Sequence, residues 1–256
     1  VSILPNASFG LNAGIFLMNL KCHDVVMTTD QEHLSVKRPL EKLTQKGIKV
    51  IEISGNSEEE FINNLKRQMA SEKPHLIIIS HVSYKDGRIF PIEAIGEIAK
   101  WHGVSLIVDG AQAVGQVKIN LENFHTSMYV FSGHKMLCGP MGTGGLWANR
   151  KFLSTHGNVW ASWTTKENND QHPFEVGTLN LGLIAGLEAA IDDYLLNQNC
   201  RHDTLLELKG EILHSLSMVE ELRLLQWKGK HAPGIISFQL PNGMNPKHFA
   251  QQLLSN

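Results

Sequence analysis

Five short apolar runs, separated by stretches long enough to be helices, constrain this chain more than any other feature. They are "DVVMTT" (24–29), "IKVIEIS" (48–54), "HLIIISHV" (75–82), "VSLIVDG" (104–110) and "MYVFSG" (128–133). Each is apolar and too short for a buried helix, so each reads as a buried strand. In 35–46, 57–70 and 91–101 apolar residues recur three and four apart, the period of an amphipathic helix. Ser57 is expected to cap the second of these, with Glu60 as its capping-box partner. Strands apolar on both faces need cover on both faces, and alternation with helices supplies it. The predicted class is therefore α/β, a doubly wound layout built on a parallel sheet.

Beyond Trp147 the pattern changes. Residues 155–175 are polar and rich in Trp, His and Asn, which suits a long irregular loop. The stretch 181–225 reads as mostly helical, with "LIAGLEAAIDDYLL" as one helix and a second around 205–216. "GIISFQLP" (234–241) reads as a strand, and "NPKHFAQQLL" as a helix with Pro246 in its first turn. This predicts a large domain over 1–195, then a connecting helix and part of a smaller domain over 196–256. Val1 opens directly on an apolar run, and "FAQQLLSN" reads as a helix still in progress. A fragment of a longer chain is expected.

The formal charge of −2 leaves no clustered excess of Lys and Arg for nucleic acid or an anionic membrane. A small-molecule ligand is the expectation. Cys22, Cys138 and Cys200 are too few and too scattered for a disulfide framework or a paired-cysteine metal site. A reducing cytoplasm is the default for such usage. No apolar run reaches the ~20 residues of a membrane helix.

In open α/β sheets ligands bind beyond the carboxyl ends of the strands. The residues there are Glu32 and His33, then His81 and Ser83, then Asp109 to Gln112, and last Ser132 to Lys135. Asp109 emerges at a strand tip, where it serves either as a helix cap or as the partner of a buried cation. Lys135 follows Ser-Gly-His at another tip, where partial burial would lower its pKa and expose a nucleophilic amine. "GPMGTGG" lacks the order of the known phosphate-binding glycine loops and reads better as a turn into the "LWA" strand. His81 reads equally as a satisfied strand-end histidine, and Cys138 as a small buried residue. Taken together, a strand-end aspartate and a Ser-Gly-His-Lys one strand later are what pyridoxal phosphate needs: an amine for the Schiff base and a carboxylate for the pyridinium nitrogen.

"VDGAQAVG" (108–115) and "FSGHKMLCGPMGTGG" (131–145) resemble the class V aminotransferase and cysteine desulfurase-like family of pyridoxal-phosphate enzymes. So do "NASFGLN" (6–12), "DQEHLS" (30–35), "SHVSYKDG" (80–87) and "FEVGTLN" (174–180), in the same order. The resemblance implies a mixed, mostly parallel sheet with helices on both faces, followed by the beginning of a small α+β domain. It implies pyridoxal 5'-phosphate as cofactor, with Lys135 as the Schiff-base lysine and Asp109 on the pyridine nitrogen. Gln112 would bond the phenolic oxygen and His33 would lie flat on the ring. Ala7, Ser8, Ser132 and His134 would hold the phosphate, in keeping with the affinity of helix N-termini for anions. Thr178 would reach the phosphate of a partner subunit, which implies a homodimer. No metal is expected.

The implied chemistry begins with Cα deprotonation of an amino acid by the freed Lys135 amine. Cleavage of a carbon–sulfur bond of cysteine or cystine is the leading expectation. "HKMLCGP" carries one residue more before its Gly-Pro than desulfurases of the family usually have, which points toward a lyase. An aminotransferase or epimerase is the alternative within the family, and a cofactor-binding fold without turnover is the alternative outside it.

Overall fold

The computed structural model describes residues 1–157, 174–225 and 227–255. The chain begins β1 (Ser2–Leu4), α1 (Ala7–Leu17), β2 (Val25–Thr29), α2 (Leu34–Thr44), β3 (Lys49–Ile53), α3 (Glu58–Glu72) and β4 (Leu76–Ser80). It continues α4 (Ile92–His102), β5 (Ser105–Asp109), β6 (Met128–Ser132), β7 (Gly144–Ala148) and α5 (Arg150–His156). The remainder is α6 (Leu181–Ser217), the pair β8 (Arg223–Leu224) and β9 (Phe238–Gln239), and α7 (Pro246–Ser255).

The five expected strands all form, each trimmed by one to three residues at its ends. Among the described residues the main sheet has seven strands, in the order β1-β7-β6-β5-β4-β2-β3. β2 to β6 pair in parallel, and β7 runs against β6 and β1. The sheet is mixed and mostly parallel, as the resemblance implied.

Both faces are covered, and the strand period shows how. Val26, Leu76, Ile78, Ile107 and Val130 pack with Leu11 of α1 and with Val36 and Leu40 of α2. Their chain neighbours Met27, Ile77, Ile79, Val108 and Tyr129 point the other way, onto Phe61, Leu65 and Met69 of α3 and Ile95 and Ala99 of α4. Successive side chains of a strand face opposite sides, so a doubly covered strand is apolar throughout.

Ser57 caps α3, accepting from the Glu60 N–H at 3.1 Å. Glu60 reaches back to the N–H of Asn56 at 2.9 Å, one residue earlier than a standard box closes. Asn6 caps α1 by accepting from Phe9 N–H at 3.0 Å.

Two expectations fail in the C-terminal part. The two helices expected within 181–225 are one helix of 37 residues, α6. Between Gly186 and Gly210 it contains neither Gly nor Pro, and the polar stretch around Asn197 is bridged by Asn197 to Asp193 (2.9 Å) and Arg201 to Asp193 (3.2 Å). Polar residues of middling propensity do not break a helix. The expected strand 234–241 is shorter than predicted: it forms at Phe238–Gln239, paired with the two residues of β8, and Leu225 N–H adds one bond to the Ser237 carbonyl at 2.9 Å. The boundary expected at 195/196 lies within α6. The expected loop over 155–175 falls mostly outside the described residues. No helix among the described residues is long and apolar enough to cross a membrane.

Candidate active site

The parallel strands end on one edge of the sheet, and the titratable residues that follow them collect there. Asp109 closes β5 and lies opposite Ser80 of β4 and Val130 of β6. It is buried, and its Oδ1 accepts the Ala111 N–H at 2.9 Å. Burial pushes its carboxyl above the usual range, while the Ala111 bond and the nearby Lys135 and His33 oppose that rise. Lys135 sits in the turn after β6, half-buried. Burial draws its amine below the ordinary lysine range, and Asp109 pulls it back up. The two groups that the sequence places a strand apart therefore share one electrostatic environment.

The turn holding Lys135 is gripped on several sides. Gly133 N–H donates to Thr143 carbonyl at 2.8 Å, and Gly139 N–H to Gly133 carbonyl at 2.7 Å. From α6, Leu187 packs over Gly133 and Gly139, and Arg201 donates to the Met136 carbonyl at 3.2 Å. "GPMGTGG" is the turn into β7, as expected: a Cβ on Gly144 would stand 2.4 Å from the Phe131 carbonyl and 3.1 Å from Asn6 Cα. That close approach lets β7 start against the N-terminus of α1.

Polar groups gather beside this turn. Ala7 N–H at the start of α1 donates to Ser132 Oγ at 3.0 Å. Ser8 Oγ lies 2.7 Å from Ser35 Oγ. Among the described residues, His134 Nδ1 is buried with no hydrogen-bond partner. A buried polar atom left unmatched costs free energy, so it marks a place for a further acceptor or donor. A helix N-terminus, two hydroxyls and an unmatched imidazole nitrogen fit a phosphate group.

His33 caps α2: its Nδ1 accepts the Ser35 N–H at 3.1 Å and lies 2.9 Å from Ser35 Oγ. Its ring meets Tyr84 edge-on, with centroids 4.9 Å apart. Behind it Glu32 is buried, accepting from Thr29 Oγ1 (2.6 Å), Ser80 Oγ (2.7 Å) and Ser80 N–H (3.0 Å). Burial raises Glu32 from an ordinary carboxyl value to about 7, against the pull of those hydrogen bonds.

His81 resolves as the satisfied histidine. It is buried, with Nδ1 2.9 Å from Tyr129 Oη and Phe124 edge-on at 5.3 Å. Burial lowers it to about 4 and raises Tyr129 well above the usual phenol range, so this pair is uncharged at neutral pH. Ser83 is fully buried in its own turn, where its Oγ accepts from Lys85 N–H at 3.2 Å. Gln112 is half-buried on the turn after Asp109.

Cys138 corrects an expectation. It is exposed, not buried, with φ of 62° and its sulfur 3.2 Å from Arg201. Thr178 is exposed and lines a cavity of about 510 Å³ with Leu4, Pro5, Phe9 and Gly142. None of Asp109, Lys135 and His33 lines that cavity.

Sequence reading named Glu32 only as one of several polar strand-end residues and passed over Ser35, Ser80 and Tyr129. Tyr129 hides inside the apolar run "MYVFSG". Ser35 had one signal, a hydroxyl two residues after a helix-capping histidine.

A mixed sheet with this strand-end cluster defines a class that comparison with known proteins identifies. The aminotransferase class-V family model matches residues 7–256, and the chain belongs to that family. A probable cysteine desulfurase of Pyrococcus abyssi is 30% identical over 262 residues, covering 94% of this chain and 63% of that protein. A cysteine desulfurase of Cronobacter sakazakii is 32% identical over 191 residues, covering 67% of this chain and 44% of that protein. Among solved structures, the apo cysteine desulfurase of Thermococcus onnurineus superposes with a TM-score of 0.86 at 29% identity, over 99% of this chain and 66% of that one. The cystine C–S lyase C-DES, in complex with its product cysteine persulfide, gives 0.87 at 21% identity, over 99% and 71%, a likeness of fold. The chain thus spans less than two thirds of the curated relatives it matches.

Proposed function

We propose that this chain is the cofactor-binding part of a pyridoxal-phosphate-dependent enzyme that cleaves a carbon–sulfur bond of cysteine or cystine. The observation that carries the reading is the half-buried Lys135 amine beside the buried Asp109 carboxylate at the strand ends. Relatives described as cysteine desulfurases and the fold shared with a cystine C–S lyase support the sulfur substrate.

In this reading Lys135 is the covalent attachment point and, once freed, the base that takes the Cα proton of the substrate. Burial lowers its affinity for protons, which favours both tasks. Asp109 holds a proton on the pyridine nitrogen, His33 covers one face of the ring, and Gln112 meets the phenolic oxygen. Ala7, Ser8, Ser132 and His134 bind the phosphate. Bound pyridoxal phosphate supplies the electron sink for the carbanion at Cα. The spacing "HKMLCGP" favours a lyase over a desulfurase. A homodimer, with exposed Thr178 reaching the partner's phosphate, a division into large and small domains about α6, and a cytoplasmic location belong to the same reading.

Adding pyridoxal phosphate to the purified chain should produce a visible absorbance band, absent in Lys135→Ala. Borohydride reduction and peptide mapping should place the adduct on Lys135, and failure of both results sinks the cofactor reading. With the intact protein and cystine, persulfide and pyruvate mark a lyase. Alanine from cysteine marks a desulfurase. Absence of both outcomes rules out the sulfur substrate and leaves an aminotransferase or epimerase.

A further inference from the structure

We propose that Ser35 is a positioning residue: it keeps the ring proton of His33 on Nε2 and couples that ring, through Ser8, to phosphate bound at the start of α1. The inference rests on the reading of His33 and Ser8 as neighbours of the cofactor.

The argument starts from a donor whose direction is fixed. The Ser35 backbone N–H points at His33 Nδ1 across 3.1 Å, and a backbone amide can only donate. His33 Nδ1 must therefore present its lone pair, which assigns the proton of the neutral ring to Nε2. Ser35 Oγ lies 2.9 Å from the same nitrogen and 2.7 Å from Ser8 Oγ. A hydroxyl carries one proton, so this chain of three groups has two arrangements. In one, Ser8 donates to Ser35 and Ser35 donates to His33 Nδ1. In the other, Ser35 donates to Ser8, and the Ser8 proton is free for an anion.

An unprotonated phosphate oxygen can only accept, so bound phosphate draws the Ser8 proton and selects the second arrangement. Ser35 then withdraws its proton from His33 Nδ1, which keeps only the backbone N–H. Phosphate binding at α1 is in this way felt at the ring of His33 without any backbone movement. The hydroxyl of Ser35 is the link, because its N–H alone fixes the tautomer but reaches no further.

Nitrogen-15 NMR of the histidine side chains reads both halves. The sequence has 13 histidines, so the His33 signal is assigned by its absence from His33→Asn. In the free chain the proton should sit on Nε2. Inorganic phosphate should shift His33 Nδ1 in the wild type and in Ser35→Thr, which keeps the hydroxyl, and leave it unmoved in Ser35→Ala. Pyridoxal phosphate affinity should fall roughly three- to tenfold in Ser35→Ala, the loss of one neutral hydrogen bond, and recover in Ser35→Thr. Alanine suits a helix, and Ser8→Ala breaks the same link from its other end if Ser35→Ala does not fold. A proton found on Nδ1 in the free chain overturns the tautomer assignment. A phosphate response that survives in Ser35→Ala overturns the coupling. If the wild type binds neither inorganic phosphate nor pyridoxal phosphate, the cofactor reading falls and the coupling with it, while the ring proton is still read in the free chain.

Discussion

Ser80 donates both its backbone N–H (3.0 Å) and its hydroxyl (2.7 Å) to the buried carboxylate of Glu32, tying the turn after β2 to the end of β4. Ser80 in turn lies opposite Asp109 on β5. Two buried carboxyl groups therefore flank one strand end, and the Asp109 charge makes ionisation of Glu32 harder.

The pH dependence of stability follows from Glu32. Its carboxyl ionises at 4.5 in the unfolded chain and at about 7 in the fold. Between those values the fold holds a proton that the unfolded chain has lost, so stability falls as pH rises and the loss is complete above pH 7. Glu32→Gln accepts from Ser80 and donates to Thr29 with no charge to bury. It should gain on the order of 3 kcal/mol over the wild type between pH 4 and pH 8. Urea midpoints across that range check it, and parallel curves for the two proteins would refute it.

Asp109 supports the charge on Lys135 against burial. Asp109→Asn should shift the pH profile of Lys135 modification by an amine-directed reagent toward lower pH in the cofactor-free protein. In the intact enzyme the same change should cut turnover on the order of a hundredfold, through loss of a preorganised charge.

Gly115 has φ of 97°, and a Cβ there would stand 2.4 Å from the Met136 carbonyl carbon and 2.5 Å from Leu137 N. The turn after Asp109 thus rests directly on the turn that carries Lys135. Gly115→Ala should cost roughly 1–3 kcal/mol from backbone strain alone. Slowed uptake of pyridoxal phosphate, followed by absorbance, should accompany the lower thermal midpoint.

Ile78 lies at the centre of β4 with 0% of its surface exposed. Ile78→Ala should lower stability by about 2–5 kcal/mol through lost burial and the cavity left behind. Denaturant unfolding measures it.

Much of this was legible in the chain. The runs around Val26, Ile78 and Ile107 announce buried strands because both faces of each are apolar, a signal that needs only near neighbours. Lys135 and Asp109 were legible because each lies within a contiguous motif at a predicted strand tip. Local propensity failed around Asn197, where side-chain bonds along one helix outweigh a polar composition that reads as a break. It failed again at 234–241, where an apolar run found a partner strand of only two residues. Cys138 was misjudged because its exposure depends on how the turn is gripped by α6.

What the sequence determined by itself was the alternation of strands and helices, the two-faced burial of the strands and the set of polar groups at their tips. Periodicity and short motifs are local, and local patterns survive in one dimension. Only the tertiary structure decided that β2 lies between β3 and β4, that β7 runs against its neighbours, and that Glu32 meets Ser80, 48 positions away. It likewise decided that Ser35 touches Ser8, 27 positions away. Such contacts are chosen by which sheet order and register bury the most apolar surface at once, and that is a property of the whole chain.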